Sequence, residues 1–287
     1  GLGAAKLGLK GEIAPDAFMN LFGGYSPDGK TALVQNAGQR SGYHQRVPGW
    51  DMSFSAPKSV SICWALSSDP VRKMIATSHE QAVRAALDIA EKYAGISRMG
   101  KGGRSRVASS LCFALFEHGT SRANDPQLHT HAICLNLGIR TDGTVGALFT
   151  ERLFAMKMAL GAVYQAEFGR QLQERLGYSI YRTEHSFEVT GINRKTIEYF
   201  STRRAEILAF CEKFGAYSAK LAANAATQTR TAKSHVARDV LFSAWREAAS
   251  GLGLDSGSVE KLVQFGSFPP PSGLDWSEML SAVKLAL

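Results

Sequence analysis

The chain has 287 residues, 45% hydrophobic and 20% charged, so it can bury a sizeable core and is not a disordered or low-complexity polymer. A formal charge of +8 and a pI near 9.4 suit a polyanionic partner such as nucleic acid, although scattered surface lysines give the same balance. No run reaches the roughly 18 apolar residues of a membrane span, no secretory signal is visible, and Cys63, Cys112, Cys134 and Cys211 form no CxxC pair; reduced core thiols in a cytoplasmic protein are expected.

Residues 1–50 are rich in glycine and read as a wrapped domain edge. In it Pro15-Asp16-Ala17-Phe18 starts a helix and Ser26-Pro27-Asp28-Gly29 marks a turn. Trp50, Met52 and Phe54 alternate with polar residues, as in a half-buried strand. Pro57 ends that strand and opens a helix over 57–66, with Ser55 as the expected cap. Val71, Ile75, Val83, Leu87 and Ile89 predict a helix over 70–94, followed by a basic, glycine-rich loop from Arg98 to Arg106. Strands are predicted over 107–117 and 129–139, with a hairpin-like turn at Thr141-Asp142-Gly143-Thr144. A long helix over 151–176 ends near Gly177, residues 178–190 are extended, and from 194 onward the pattern is helical and basic. Mixed elements followed by a helical last third predict an α+β architecture with an appended helical region.

The chemistry concentrates between Phe116 and His131. His129 and His131 are two apart, so on a strand both imidazoles point to one face. His118 ends the preceding strand, and a turn at Asp125-Pro126 brings it beside the pair. Of the chain's 7 histidines, His118, His129 and His131 fall in this one short run, and converging imidazoles make a metal site with open positions. His44, His79, His185 and His235 read as ordinary hydrogen-bonded residues. Asp51 either orients a ligand histidine or serves as a general base. Lys58 and Arg122 are candidates for holding phosphate oxygens, or structural ion pairs. Imidazole donors suit Zn, Ni, Cu or Fe by affinity.

Two segments together resemble the TrwC/TraI (MobF) family of conjugative relaxases, within the HUH endonucleases. They are Trp50-Asp51-Met52-Ser53-Phe54-Ser55-Ala56-Pro57-Lys58-Ser59-Val60-Ser61 and the run from His118 to His131. Leu7-Gly8-Leu9-Lys10-Gly11, Gly161-Ala162-Val163-Tyr164, Leu176-Gly177-Tyr178 and Phe187-Glu188-Val189 extend the likeness from residue 1 to about 250. The resemblance implies an antiparallel-sheet palm with helices on one face and mostly helical fingers that close over single-stranded DNA. On this chain it places the palm at 1–195 and the fingers at 196–287. It implies nicking at a plasmid origin of transfer, with attack by a tyrosine hydroxyl and a phosphate polarised by a divalent metal, Mg or Mn in function. His118, His129 and His131 match the family's ligands, and Asp51 its orienting carboxylate or base.

The family's nucleophilic tyrosines precede the Leu-Gly-Leu segment, so the nucleophile is expected upstream and none is nominated among residues 1–287. A helicase is expected to follow, with accessory proteins of conjugation as partners in a bacterial cytoplasm. Candidate DNA contacts are Lys101, Arg104, Arg106, Arg203, Arg204, Lys220, Arg230, Lys233 and Arg238. Two other readings remain at this point: a metal-dependent phosphodiesterase using activated water, and a DNA- and metal-binding module without catalysis.

Overall fold

The computed structural model describes residues 1–38, 46–184, 186–214, 218–229 and 236–265. His44, His185, His235, Arg230, Lys233 and the part of the expected helical region beyond 265 lie outside these residues. The chain opens with α1 (Leu2–Lys6) and α2 (Pro15–Gly23). Pro15 starts α2, and Gly24 stops it at φ 92°, a left-handed turn that suits glycine. β1 (Gly49–Ser55) passes through Pro57 into α3 (Lys58–Leu66) and then α4 (Asp69–Ala94).

Two sequence expectations change here. Ser55 does not cap α3: it stays in β1, and Pro57 occupies the cap position without a side-chain hydrogen bond. The free backbone N–H of Ser59 donates instead to Glu188 Oε2 at 2.9 Å, a carboxylate placed where the helix N-terminus favours negative charge. The basic stretch expected as a loop is a hairpin, β2 (Ile96–Met99) and β3 (Ser105–Ala108), turning through Gly100, Gly102 and Gly103 at positive φ.

β4 (Phe113–Thr120) follows after a break, so the single strand expected over 107–117 is two. The cause is a change of partner: β3 pairs with β2, whereas β4 pairs with β5 (Pro126–Leu135). Next come the small hairpin β6 (Gly138–Ile139) and β7 (Val145–Gly146), then α5 (Glu151–Ala155) and α6 (Lys157–Leu176), closed by Gly177 at φ 64°. The hairpin β8 (Ile180–Arg182) and β9 (Phe187–Val189) leads to α7 (Arg194–Tyr199), α8 (Thr202–Glu212), α9 (Ala219–Gln228), α10 (Arg238–Gly251) and α11 (Ser256–Glu260).

The central sheet has the order β1-β5-β4, antiparallel throughout. Strand alternation divides it into two faces. Phe54, Leu128 and Ala132 face one side and join a core with Val60 and Cys63 of α3, Val83 of α4 and Tyr164 and Phe168 of α6. Phe242 and Trp245 of α10 belong to the same core, ring to ring with Trp64. The four cysteines are buried and unpaired, and burial pushes the Cys63 thiol up to about 12. Gly119 lets the end of β4 close on this aromatic cluster, because a Cβ there would lie 2.4 Å from Trp64 Cη2. Gly119→Ala is therefore expected to lose about 1–3 kcal/mol of stability by overpacking, measured by chemical denaturation. A loss below experimental error would show that Trp64 yields freely.

Candidate metal centre

The ladder sets the histidines by register. His118 of β4 lies opposite His129 of β5, and Phe116 opposite His131; on the other side Ser55 lies opposite His129 and Ser53 opposite His131. These residues all point away from the helix-covered core. A register shift follows His118, so the strand bends where that ligand projects. The three imidazole rings are equidistant, with centroids 5.3, 5.3 and 5.2 Å apart. One nitrogen from each ring lies within 4.8 Å of the others, and His129 and His131 are half-buried.

In two of the rings the other nitrogen is held by a neighbour. His131 Nδ1 lies 2.7 Å from Asp51 Oδ2 and 3.0 Å from Ser53 Oγ. His129 Nδ1 lies 2.9 Å from its neighbour Gln127's carbonyl oxygen. With Nδ1–H donating to a carboxylate or carbonyl, the rings of His131 and His129 present Nε2 as a ligand and keep their orientation. A donor set of three imidazoles with open positions fits a divalent metal ion. Asp51 sits diagonally across the strand pair from His131, one of the two roles expected of it. Asp51→Asn is expected to weaken binding of Ni²⁺ by about 10–100-fold, read by calorimetric titration. Unchanged affinity would make the contact incidental.

Beneath the strand lies another histidine, hydrogen-bonded as its sequence reading expects. His79 of α4 is fully buried, with Nδ1 2.8 Å from Tyr164 Oη and Nε2 2.9 Å from Thr130 Oγ1. Thr130 stands between the two ligands of β5 and faces the other way. Burial, with a smaller contribution from His129, lowers the His79 pKa to about 3, so the ring is neutral. A cavity of about 260 Å³ opens beside His118, walled by Trp64, Phe242 and Trp245, with Glu117 and Arg238 among its polar groups.

The basic candidates divide. Lys58 is turned inward: Nζ donates to the Pro126 carbonyl at 2.8 Å, and burial lowers its pKa to about 8 against the pull of Asp125 and Glu188. Arg203 ties α8 to α9, donating to the carbonyls of Ala226 and Thr229 and to Glu206. Both cations are thus committed within the protein. Arg122 lies in the β4–β5 connection, Arg204 is exposed on α8, Arg104 lies in the β2–β3 turn, and Arg106 pairs with Arg98 just beyond it. Arg238 stacks near Trp64 and Phe242, each at 5.6 Å. Among the tyrosines, Tyr164 and Tyr178 are buried, which raises both hydroxyls well above the usual range and disfavours their ionised form.

Comparison with known proteins shows which family this scaffold belongs to. The family model of the TrwC relaxase matches residues 1–252. The chain belongs to the TrwC relaxase family. It is 34% identical over 267 residues to the multifunctional conjugation protein TraI of Escherichia coli, covering 89% of this chain and 14% of TraI; the chain thus spans about a seventh of that relative's length. A copper-bound structure of the conjugative relaxase TrwC in complex with oriT DNA superposes with a TM-score of 0.77 at 34% identity, covering 88% of this chain and 86% of that one. A structure of TrwC with a 27-mer DNA comprising the recognition hairpin and the cleavage site gives a TM-score of 0.78 at 35% identity, with coverage of 88% and 90%. The expected family and its α+β, antiparallel-sheet relaxase fold both stand. No described helix is long and apolar enough to cross a membrane.

Proposed function

We propose that this chain is the DNA-nicking region of a conjugative relaxase, cutting and holding one strand at a plasmid origin of transfer. The observation that carries the reading is the convergence of His118, His129 and His131, with Asp51 behind His131, on the open face of a sheet built as in the TrwC relaxase family. A divalent ion on these imidazoles, Mg or Mn in the cell, would draw charge from a bound phosphate and favour its attack. The chain's residues set up that encounter. Asp51 and the Gln127 carbonyl fix two ligand rings, so little reorganisation is needed when a phosphate arrives. The cavity beside His118, with Glu117 and Arg238 among its polar groups, offers a recess next to that ligand in which part of the strand can seat. Arg122, Arg104, Arg106 and Arg204 supply cations for the strand, and the helical region from 196 onward closes over it.

The nucleophile in this reading is a tyrosine outside residues 1–287, whose hydroxyl displaces the 3′ oxygen and keeps the 5′ phosphate as a covalent ester. Within a longer protein the same reading places a helicase after this region and conjugation accessory proteins around it, in the bacterial cytoplasm. The test uses the protein with its complete natural N-terminal sequence, a single-stranded origin oligonucleotide and Mg²⁺ or Mn²⁺. A denaturing gel is expected to show a DNA-shifted protein band that is lost in His129→Ala. Cleavage without a shifted band would replace this reading with hydrolysis by activated water.

A further inference from the structure

At the C-terminal end of α4, away from the histidines, the surface folds into a cavity of about 400 Å³ lined in part by Lys92, Tyr93, Arg106, Phe149 and Arg152. No carboxylate lines it. Of the acids next to these cations in sequence, Glu91 is committed to the backbone N–H groups of Leu2 and Leu111, and Glu151 is exposed on α5 outside the lining. Among the described residues Lys92, Arg106 and Arg152 make no ion pair. Arg106 lies with its guanidinium 3.7 Å above the Phe149 ring, so its plane is fixed while its edge N–H groups stay available. Lys92 lies 5.4 Å from the Tyr93 ring.

Exposed cations on a basic protein are usually dispersed and solvated. Three that converge on one concavity, against two aromatic rings and without a counter-charge, match a phosphate with an adjoining base. Lys92 follows His79 on α4 by 13 residues, which is about 20 Å at the helical rise of about 1.5 Å. His79 in turn touches Thr130 between two of the ligands, so the cavity lies at the far end of α4 from the metal centre.

We propose that the cavity formed by Lys92, Arg106 and Arg152 with Tyr93 and Phe149 is a second DNA-phosphate site, anchoring the strand remote from the metal centre. It rests on the reading of this chain as a single-stranded DNA-handling relaxase domain. The anchor sets how firmly and in what register the strand is held, while the histidine face does the chemistry.

The test measures binding of a labelled single-stranded oligonucleotide of about 20 nucleotides by fluorescence anisotropy over a range of salt concentrations. Lys92→Ala/Arg152→Ala is expected to lower the slope of log affinity against log salt by about 1.4, at roughly 0.7 per lost phosphate contact. Lys73→Ala/Lys261→Ala, which removes the same charge from exposed positions outside the cavity, is expected to leave the slope unchanged. Equal changes in the two double variants, or no change in either, would overturn the anchor while leaving DNA binding intact. Saturable binding of free thymidine monophosphate, lost in Lys92→Ala/Arg152→Ala without any change in the oligonucleotide slope, would assign the cavity to a mononucleotide instead. Failure of the unaltered protein to bind the oligonucleotide at all would overturn the relaxase reading and the anchor with it.

Discussion

His129→Ala is expected to lower the affinity of the chain for Ni²⁺ by about 100–1000-fold. Four-ligand zinc sites bind with about 10–16 kcal/mol, so one ligand is worth roughly 3–4 kcal/mol, and about 1.4 kcal/mol corresponds to a tenfold change. His129 is the ligand to choose because it is central in the register, flanked by Ser55 of β1 and His118 of β4. Its ring is on the open face of the sheet, so alanine opens no cavity in the core. The thermal midpoint of the metal-free variant should therefore stay close to that of the unaltered chain, and calorimetric titration with Ni²⁺ alone should report the loss. The predicted order is a large loss in His129→Ala and a smaller one in Asp51→Asn, since the aspartate acts through His131. An affinity of His129→Ala within tenfold of the unaltered chain would mean that the three imidazoles are neighbours and not a ligand set.

How far the site could be read from sequence depended on sequence distance. His129 and His131 declare a shared face through strand periodicity alone. His118 needed one further step, that the chain reverses between β4 and β5, and Asp125-Pro126 supplied the signal. Asp51 is legible as a carboxylate in a strand with two possible roles, and its diagonal contact with His131 at 2.7 Å fits the orienting one. The partners of His79 were not legible, because Thr130 and Tyr164 lie 51 and 85 residues away and nothing local points to them. The cap of α3 is hidden for the same reason: Glu188 reaches Ser59 from 129 residues away, whereas sequence alone points to the local Ser55. Glycine and charge disguised the β2–β3 hairpin as a loop. Lys58 and Arg203 show a limit of a different kind: a cation's type is in the sequence, but whether it faces a phosphate or a carbonyl is decided by packing.

The buried His79 network gives the second large expected effect, in pH. The ring's pKa falls from an ordinary value near 6.5 to about 3 in the folded chain, first because burial penalises the charged form and second because of His129. Between those values the unfolded chain binds a proton that the folded chain refuses, so stability rises with pH across this window. The contribution is complete above about pH 6.5 and is lost progressively as pH falls toward 3, at a limit of about 1.4 kcal/mol per unit. From pH 7 to pH 5 His79 alone is expected to remove about 2 kcal/mol. Other histidines titrate in the same range, so the loss is isolated by comparison with His79→Gln in metal-free buffer. Glutamine keeps one hydrogen bond to Thr130 or Tyr164 but takes up no proton. The variant should be less stable than the unaltered chain at pH 7, yet lose about 2 kcal/mol less on going to pH 5, measured by urea denaturation at each pH. Equal losses in the two proteins would place the acid sensitivity elsewhere. Thr130, which His79 holds, lies between His129 and His131, so the network lies directly beneath the strand that carries two ligands. The fold beneath the site and the ligands upon it thus favour the same neutral-pH range, in which imidazole nitrogens are free to bind metal.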